Sequence, residues 1–498
     1  MLGALLLRLW QLGARSLWTD EGSTWTAATS TLGALIHRCL VRDASPPLYY
    51  LLTSLTLKLD RHEAGLRLVS VLASLALVWL SYRIARLFAG RGEATLAAAI
   101  VMLSPFQVMY AQEARTYATV GAFTVAALYQ FARAVIHDRR RAWTWFVAFS
   151  VLALYTQTIA ALGIAVQVAW IVLTHTGRRH ARAWAVATAI AVLAYLPWLI
   201  ASARQAGELG ESHWYLTAPG GHGVFQVLRT VFLSPLSLVT PPRGTTLPGL
   251  DAILPRPAAW LLLLAIVLVP LAWSVRSIRA AWPRGHVVRL CAFALFLPLA
   301  AVLAASVKVP LWLPRYFVLL TPFLAVLQAA GIARMRPRGL ATTAAAALLL
   351  VNTYGTFRYQ VDYTKEPWRE VAAHIAEHAH PGRSAVLVPF DLDPFAFYDA
   401  QLPHPLAAYE VSHPAEPFAA HFTPRELDET EAAARRNAAP WDEVWVIVRS
   451  PNSPVRREVA RRARRAAATA GRVQVGGEEV WNSVGGPLWV TRYARPGR

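Results

Sequence analysis

Asp20 and Glu21 stand side by side in Ser16-Leu17-Trp18-Thr19-Asp20-Glu21-Gly22-Ser23, directly after the first apolar segment. Carboxylates where a helix leaves a membrane are costly unless they are solvated, paired or bind something. Taken alone, the pair also fits a hydrated helix end. A second cluster, Tyr110-Ala111-Gln112-Glu113-Ala114-Arg115-Thr116-Tyr117, holds an acid, a base and two tyrosines. A structural ion pair at a helix end explains it equally well. A third runs from Lys308 to Leu313-Pro314-Arg315-Tyr316. Arginine is suited to phosphate and tyrosine is common at interfaces, so this cluster reads as a lipid-phosphate anchor or an interface marker. A fourth, Lys365-Glu366-Pro367-Trp368-Arg369, is a Pro-initiated helix start whose simplest role is to dock the segment that follows. His213-Trp214-Tyr215 could stack on a sugar ring, but interfacial aromatics are common.

The elements that must position these groups are set by composition. The 498 residues are 55% hydrophobic and 16% charged, with a mean hydropathy of +0.36. Repeated apolar runs of roughly 17–23 residues indicate a polytopic membrane protein. The first run, about Leu2 to Leu17, has no small-residue cleavage site and reads as an uncleaved span; it is short and carries Arg8, which implies either a start that lacks a few residues or an Arg8 that faces the bundle interior. Further spans are expected at 66–82, 94–110, 116–136, 142–158, 159–174, 183–200, 257–275, 288–306, 315–332 and 340–356, so about eleven in all. No turn signal clearly divides 142–158 from 159–174. Asp43-Ala44-Ser45-Pro46-Pro47-Leu48-Tyr49-Tyr50 leads into a run too short to span, read as an interfacial helix.

The net charge of +20 does not indicate nucleic acid, because the basic residues collect in short loops between apolar runs. Those around Arg83–Arg91, Arg139–Arg141, Arg178–Arg182, Arg276–Arg289 and Arg334–Arg338 fall on one side, cytoplasmic by the positive-inside rule. Asp20, Asp43, Glu113, Lys308, the first loop (18–65), the long loop (201–256) and the tail then fall on the other. The two cysteines, Cys39 and Cys291, are poorly placed to pair. From residue 358 the pattern changes to short β-type runs (385–388, 444–448) alternating with helix-type stretches (367–379, 454–469). The expected organisation is a transmembrane domain, 1–357, and an extracytoplasmic soluble α/β domain, 358–498. The Arg456–Arg465 run reads as a solvated helix face or a contact for anionic head groups.

These clusters, in this order and on one side, resemble the membrane-embedded glycosyltransferases of the GT-C class. The likeness is to the bacterial family 39 proteins related to protein O-mannosyltransferases and to the aminoarabinose transferase of lipid A. It rests on Asp20-Glu21, Pro46-Pro47-Leu48-Tyr49-Tyr50, Gln112-Glu113-Ala114-Arg115-Thr116-Tyr117, Arg315-Tyr316 and Trp368-Arg369. One departure is Ser45, where many relatives carry a histidine.

The resemblance implies a polytopic enzyme of the bacterial inner membrane, a polyprenyl-phosphate-linked sugar as donor and an extracytoplasmic acceptor. Whether the acceptor is protein, lipid or polysaccharide is not implied. Asp20 would be the general base, with Glu21 and Glu113 as further site acids. Arg315, with Arg115 and Lys308, would meet the donor phosphate, and Asp43, Tyr49, Tyr117 and Tyr316 would line the substrate site. Such a base and a departing phosphate fit a single inverting displacement, not the retaining two-carboxylate scheme. No ligand spacing claims a metal, and a divalent cation beside the carboxylates is left open. The different-class alternative is a transporter or flippase for a lipid-linked saccharide. The one-sided polar clusters and the lack of a visible broken helix pair or inverted repeat speak against it.

Overall fold

The computed structural model describes residues 1–41, 45–209, 221–232, 256–307, 312–411, 422–449, 454–483 and 485–496. Asp43, Lys308 and His213-Trp214-Tyr215 lie outside the described residues. The chain divides into two compact units. The first comprises Met1–Leu12, Asp43–Arg204 and Leu216–Asp362, and the second Gly13–Arg42, Gln205–Tyr215 and Tyr363–Arg498.

The first unit is helical. Among the described residues seven helices are long and apolar enough to cross a membrane, namely Glu63–Ala85, Tyr117–Val135, Ala181–Ala201, Leu261–Ile278, Arg284–Ala305, Pro314–Ile332 and Arg338–Asp362. The count becomes eight if the bent pair Arg91–Leu103 and Pro105–Ala111 is one span. Eleven spans are expected from the sequence, and several of those apolar runs are interrupted in the structure. The first apolar segment is helical only over Leu2–Leu9, and Gln11 beyond it has φ 57°, a left-handed conformation that does not continue the helix.

Arg8 faces inward. It is fully buried, and its Nε donates to Ser74 Oγ at 2.8 Å while Nη1 donates to the Met102 carbonyl at 3.2 Å. At Ser104-Pro105 the chain bends by 58°. Proline has no N–H to continue the helix, and Ser104 caps the new helix by accepting from the Gln107 amide. This is a broken pair that the sequence did not reveal. The undivided stretch 142–174 breaks at Gln157, whose extended backbone (φ −166°, ψ 140°) separates Ala142–Thr156 from a short 3-10 turn and Ala161–Leu173. Leu48–Thr56 is a short helix that buries Tyr49, Tyr50, Thr53 and Thr56. The expected long loop is helical in part, since the helix from Ala181 continues to Leu209 and another spans Gly221–Phe232.

The second unit contains a five-stranded sheet with strands β1 (Ser384–Val388), β2 (Ala407–Glu410), β3 (Glu443–Arg449), β4 (Val473–Trp481) and β5 (Leu488–Ala494). Their order is β2-β1-β3-β5-β4. β1 is parallel to β2 and β3, and β5 is antiparallel to β3 and β4. All five residues of β1 are buried, as expected of a central parallel strand covered on both faces. Helices Trp368–His378 and Pro454–Ala467 lie where the helical pattern put them. Much of the Arg456–Arg465 run is ion-paired, with Arg456 on Asp391 and Arg462 on Asp428, Glu431 and Glu458.

Candidate active site

In the second unit, Asp20 and Glu21 open the helix Thr19–Thr29, which belongs to the same unit as the tail. Glu21 is fully buried and its Oε2 accepts from Lys365 Nζ at 2.7 Å, the two side chains being 0% and 4% exposed. Asp20, one residue earlier, is only half-buried. Adjacent carboxylates thus have separate environments. Glu21 is neutralised inside the protein, and Asp20 keeps access to what lies outside it.

The start of this helix is fixed by the segment that contains the fourth cluster. The Thr19 amide and hydroxyl both donate to Glu366 Oε2, at 3.3 and 3.2 Å. A carboxylate here satisfies an orphan N–H and complements the positive end of the helix. Glu366 is held in turn by Trp368 Nε1 at 2.8 Å and Arg449 Nε at 2.6 Å. Arg369 donates from its amide to Ser16 Oγ and from its guanidinium to the Gly13 and Ala14 carbonyls, at 2.7 and 2.9 Å.

Further along, the helix meets Asp393–Asp399. Ser23 Oγ donates to Asp393 Oδ2 at 3.0 Å and Thr26 Oγ1 to Oδ1 at 2.7 Å. A Cβ on Gly22 would lie 2.5 Å from the Pro394 nitrogen, so only glycine permits this approach. Trp25 packs edge-on to Phe397, with ring centroids 5.5 Å apart, and the Leu17 amide donates to the Tyr398 hydroxyl at 2.7 Å.

In the first unit, the bend at Ser104-Pro105 brings Pro105–Ala111 to the turn that holds Glu113 and Arg115. Gln112 caps the end of the first helix by donating to the Arg8 and Trp10 carbonyls, at 3.0 and 2.6 Å. Glu113 is buried and Arg115 is half-buried. Thr116 Oγ1 donates to Gln157 Oε1 at 3.0 Å, so the extended residue that breaks 142–174 also steadies this turn. Arg315 is the second residue of the 3-10 helix Pro314–Leu320. Its guanidinium carbon is 5.8 Å from the Tyr117 ring centroid and 6.0 Å from that of Tyr316. The tyrosine faces hold the cation by cation–π attraction without removing its charge. The ring series continues from Tyr316 through Tyr117 and Tyr110 to Phe106.

The structure therefore brings Arg315, Tyr117 and Tyr316 together in the first unit, and Glu21 with Lys365 in the second. Tyr49 is fully buried. Its hydroxyl bonds Ser70 Oγ at 2.9 Å, and Ser70 Oγ donates to the Arg115 carbonyl at 3.3 Å. Tyr49 thus supports the Arg115 turn from behind. The sequence did not single out Ser70, Asp393 or Arg449. Only Asp393 carried a local signal, an acid before Pro394 at a helix start. Among the described residues, no group of three or more His, Cys, Asp and Glu is arranged to hold a metal ion.

Residues 44–200 match the family model described as dolichyl-phosphate-mannose-protein mannosyltransferase. No curated protein matches the chain. The fold is similar to that of ArnT from Cupriavidus metallidurans, in the apo state and bound to undecaprenyl phosphate, with TM-score 0.62 and 15% identity over 98% of this chain and 96% of that one. It is also similar to the oligosaccharyltransferase AglB from Archaeoglobus fulgidus in complex with an inhibitory peptide and a dolichol-phosphate, with TM-score 0.54 and 14% identity over 98% and 73% of the two chains. The family match and these neighbours bear out the resemblance read from the clusters: in sequence and in fold the chain is similar to the GT-C glycosyltransferases related to protein O-mannosyltransferases and the aminoarabinose transferase.

Proposed function

We propose that the protein is an integral membrane glycosyltransferase that moves a sugar from a polyprenyl-phosphate carrier to a hydroxyl-bearing acceptor, with inversion at the anomeric carbon. The observation that carries this reading is the family match over residues 44–200, which contains the Glu113–Tyr117 cluster. The bound undecaprenyl phosphate and dolichol-phosphate of the two structural neighbours support the choice of carrier.

In this reading, Asp20 takes the proton of the acceptor hydroxyl as its oxygen bonds to the anomeric carbon. The bond from that carbon to the carrier phosphate breaks, and its electron pair leaves with the phosphate. Arg315, held by two tyrosine faces, meets the growing phosphate charge, and Arg115 supplies a second cation. Glu21 is neutralised by Lys365 and supports Asp20 without exchanging protons. Glu113, Tyr117 and Tyr316 shape the substrate side of the Arg315 group.

Asp20 and the tail face the extracytoplasmic side of a bacterial inner membrane in this reading, opposite the Arg-rich loops. That Gly13–Arg42 and Tyr363–Arg498 form one compact unit supports placing them on the same side. The 58° bend at Ser104-Pro105 favours one second reading, a transporter of lipid-linked saccharides, because transporters use broken helices. Purified protein should transfer sugar from a polyprenyl-phosphate donor and leave a nucleotide sugar untouched. Transfer from a nucleotide sugar without lipid carrier would refute the donor assignment. Movement of lipid-linked sugar across vesicles with no transfer to any acceptor would favour the second reading.

A further inference from the structure

In open α/β sheets the crevice beyond the carboxyl ends of parallel strands, where the strand order reverses, is the usual place for a ligand. In the second unit that reversal lies between β1 and β3, since the chain goes from β1 to β2 on one side and returns to β3 on the other. The residues beyond these strand ends are charged and interlocked. Arg449, at the end of β3, donates to Glu366 Oε1 at 2.6 Å and to Asp391 Oδ2 at 3.2 Å. Arg456 donates to the same Asp391 oxygen at 3.2 Å. The Asp391 amide donates to Glu410, at the end of β2, at 3.3 Å.

What fills this place is the chain's own helix Thr19–Thr29. Glu366 binds its first residue and Asp393, two residues after Asp391, binds its Ser23 and Thr26 hydroxyls. Lys365 reaches Glu21 between these two anchors. Thr19, Ser23 and Thr26 share one face of this helix and Glu21 lies on the opposite face, so the attachments fix its height, its tilt and its rotation. They leave the side chain of Asp20 half-buried.

We propose that Lys365, Glu366 and Asp393 are positioning residues for Asp20, so that the strand-end crevice of the tail holds the catalytic helix in place of a ligand. This rests on the reading of Asp20 as the acceptor base. A base must lie within hydrogen-bond reach of its proton, and a displacement of about 1 Å can cost ~10²-fold in rate. The acceptor proton is removed in the chemical step, whereas the donor is held by other residues. Loosening the helix should therefore lower kcat and leave the donor KM in place.

The test compares Lys365→Met, Glu21→Gln and the double variant Glu21→Gln/Lys365→Met, as full-length protein in lipid nanodiscs, per folded molecule. Lys365→Met strands a buried carboxylate and should lower kcat roughly 10–100-fold with donor KM nearly unchanged. The double variant leaves two neutral side chains and should recover at least about tenfold of that loss, because no uncompensated charge then distorts the helix. A second arm, Ser23→Ala with Thr26→Val, removes the hydroxyls from Asp393 without touching a buried charge and should also lower kcat with donor KM held. This arm remains readable if Lys365→Met does not fold. Wild-type kcat in folded Lys365→Met and in the Ser23→Ala/Thr26→Val protein would overturn the proposal. Asp20→Asn, assayed beside them, separates the two readings. Loss of transfer in Asp20→Asn alone overturns only the positioning role, whereas normal transfer in Asp20→Asn overturns Asp20 as the base.

Discussion

Glu21 and Lys365 are 344 residues apart in the chain and form an ion pair of 2.7 Å with almost no solvent access. A buried pair is an uncertain source of net stability, but breaking it by removing one partner typically costs ~3–5 kcal/mol. The pair therefore ties the segment after the first helix to the start of the tail, and it separates two carboxylates that look alike in sequence. Asp20 keeps partial exposure, and Glu21 is committed to a lysine.

That separation predicts unequal effects of conservative changes. Asp20→Asn should leave folding intact and lower transfer by ~10²–10⁴, the usual worth of general-base assistance. Glu21→Gln should lower thermal stability and reduce transfer less. The measurements are kcat and the unfolding midpoint on purified variants. Equal losses of transfer in both, with equal stability, would contradict the division of roles.

Gly22 gives a purely steric test of how closely the helix Thr19–Thr29 approaches the Pro394 backbone. Gly22→Ala puts a Cβ 2.5 Å from the Pro394 nitrogen, and a backbone atom cannot move aside as a flexible side chain could. Overpacking of this kind costs ~1–3 kcal/mol. In an ordinary helix the same change would stabilise by about 1 kcal/mol through helix propensity. A fall in unfolding midpoint is expected, and a rise would show that the close approach is absent.

How much of this was legible in the sequence depended on the range over which each signal acts. The carboxylate pair, the Glu113–Arg115 turn and Arg315 were visible as clusters, and β1 and β3 as apolar β-branched runs between turn residues. The strands β2, β4 and β5 were not. β2 has four residues and no fully buried one, β4 holds two glycines and is exposed almost throughout, and β5 mixes arginine into its run. Apolar composition alone did not show where a run is broken, as at Ser104-Pro105 and Gln157. The pairing of Lys365 with Glu21, and of Asp393 with Ser23 and Thr26, has no local signal, since only folding brings these partners together.

Arg315 offers a distinction between phosphate partner and interfacial anchor. As a phosphate partner it should weaken donor binding and slow the chemical step when changed to alanine, because charge on the leaving oxygen grows as the bond breaks. Lysine should restore only part, since one ammonium cannot reproduce the planar fork or its stacking on Tyr117 and Tyr316. As an anchor, lysine should serve almost as well and the donor KM should hardly move. A donor titration on wild type, Arg315→Ala and Arg315→Lys at equal folded amounts decides between the two.

Glu410 closes β2 beside Asp391 and Asp393, and it gives the tail a pH dependence whose sign can be stated. Burial, then the Asp393 and Asp391 carboxylates, raise its carboxyl from the ordinary 4.5 to about 7, against the opposing pull of the Asp391 amide and Arg38. Between those values the folded chain holds a proton that the unfolded chain has lost. Stability from this group is thus complete below about pH 4.5, falls as pH rises and is lost above about pH 7. At ~1.4 kcal/mol per pKa unit the change is at most roughly 3 kcal/mol. Glu410→Gln carries no proton to lose, so it should unfold at a higher temperature than wild type at pH 8, while the two converge near pH 5. Unfolding midpoints of both proteins at a series of pH values measure the difference directly, which cancels the titration of every other group. Parallel curves across the range would mean that Glu410 ionises normally and that the Asp391–Asp393 turn does not crowd it.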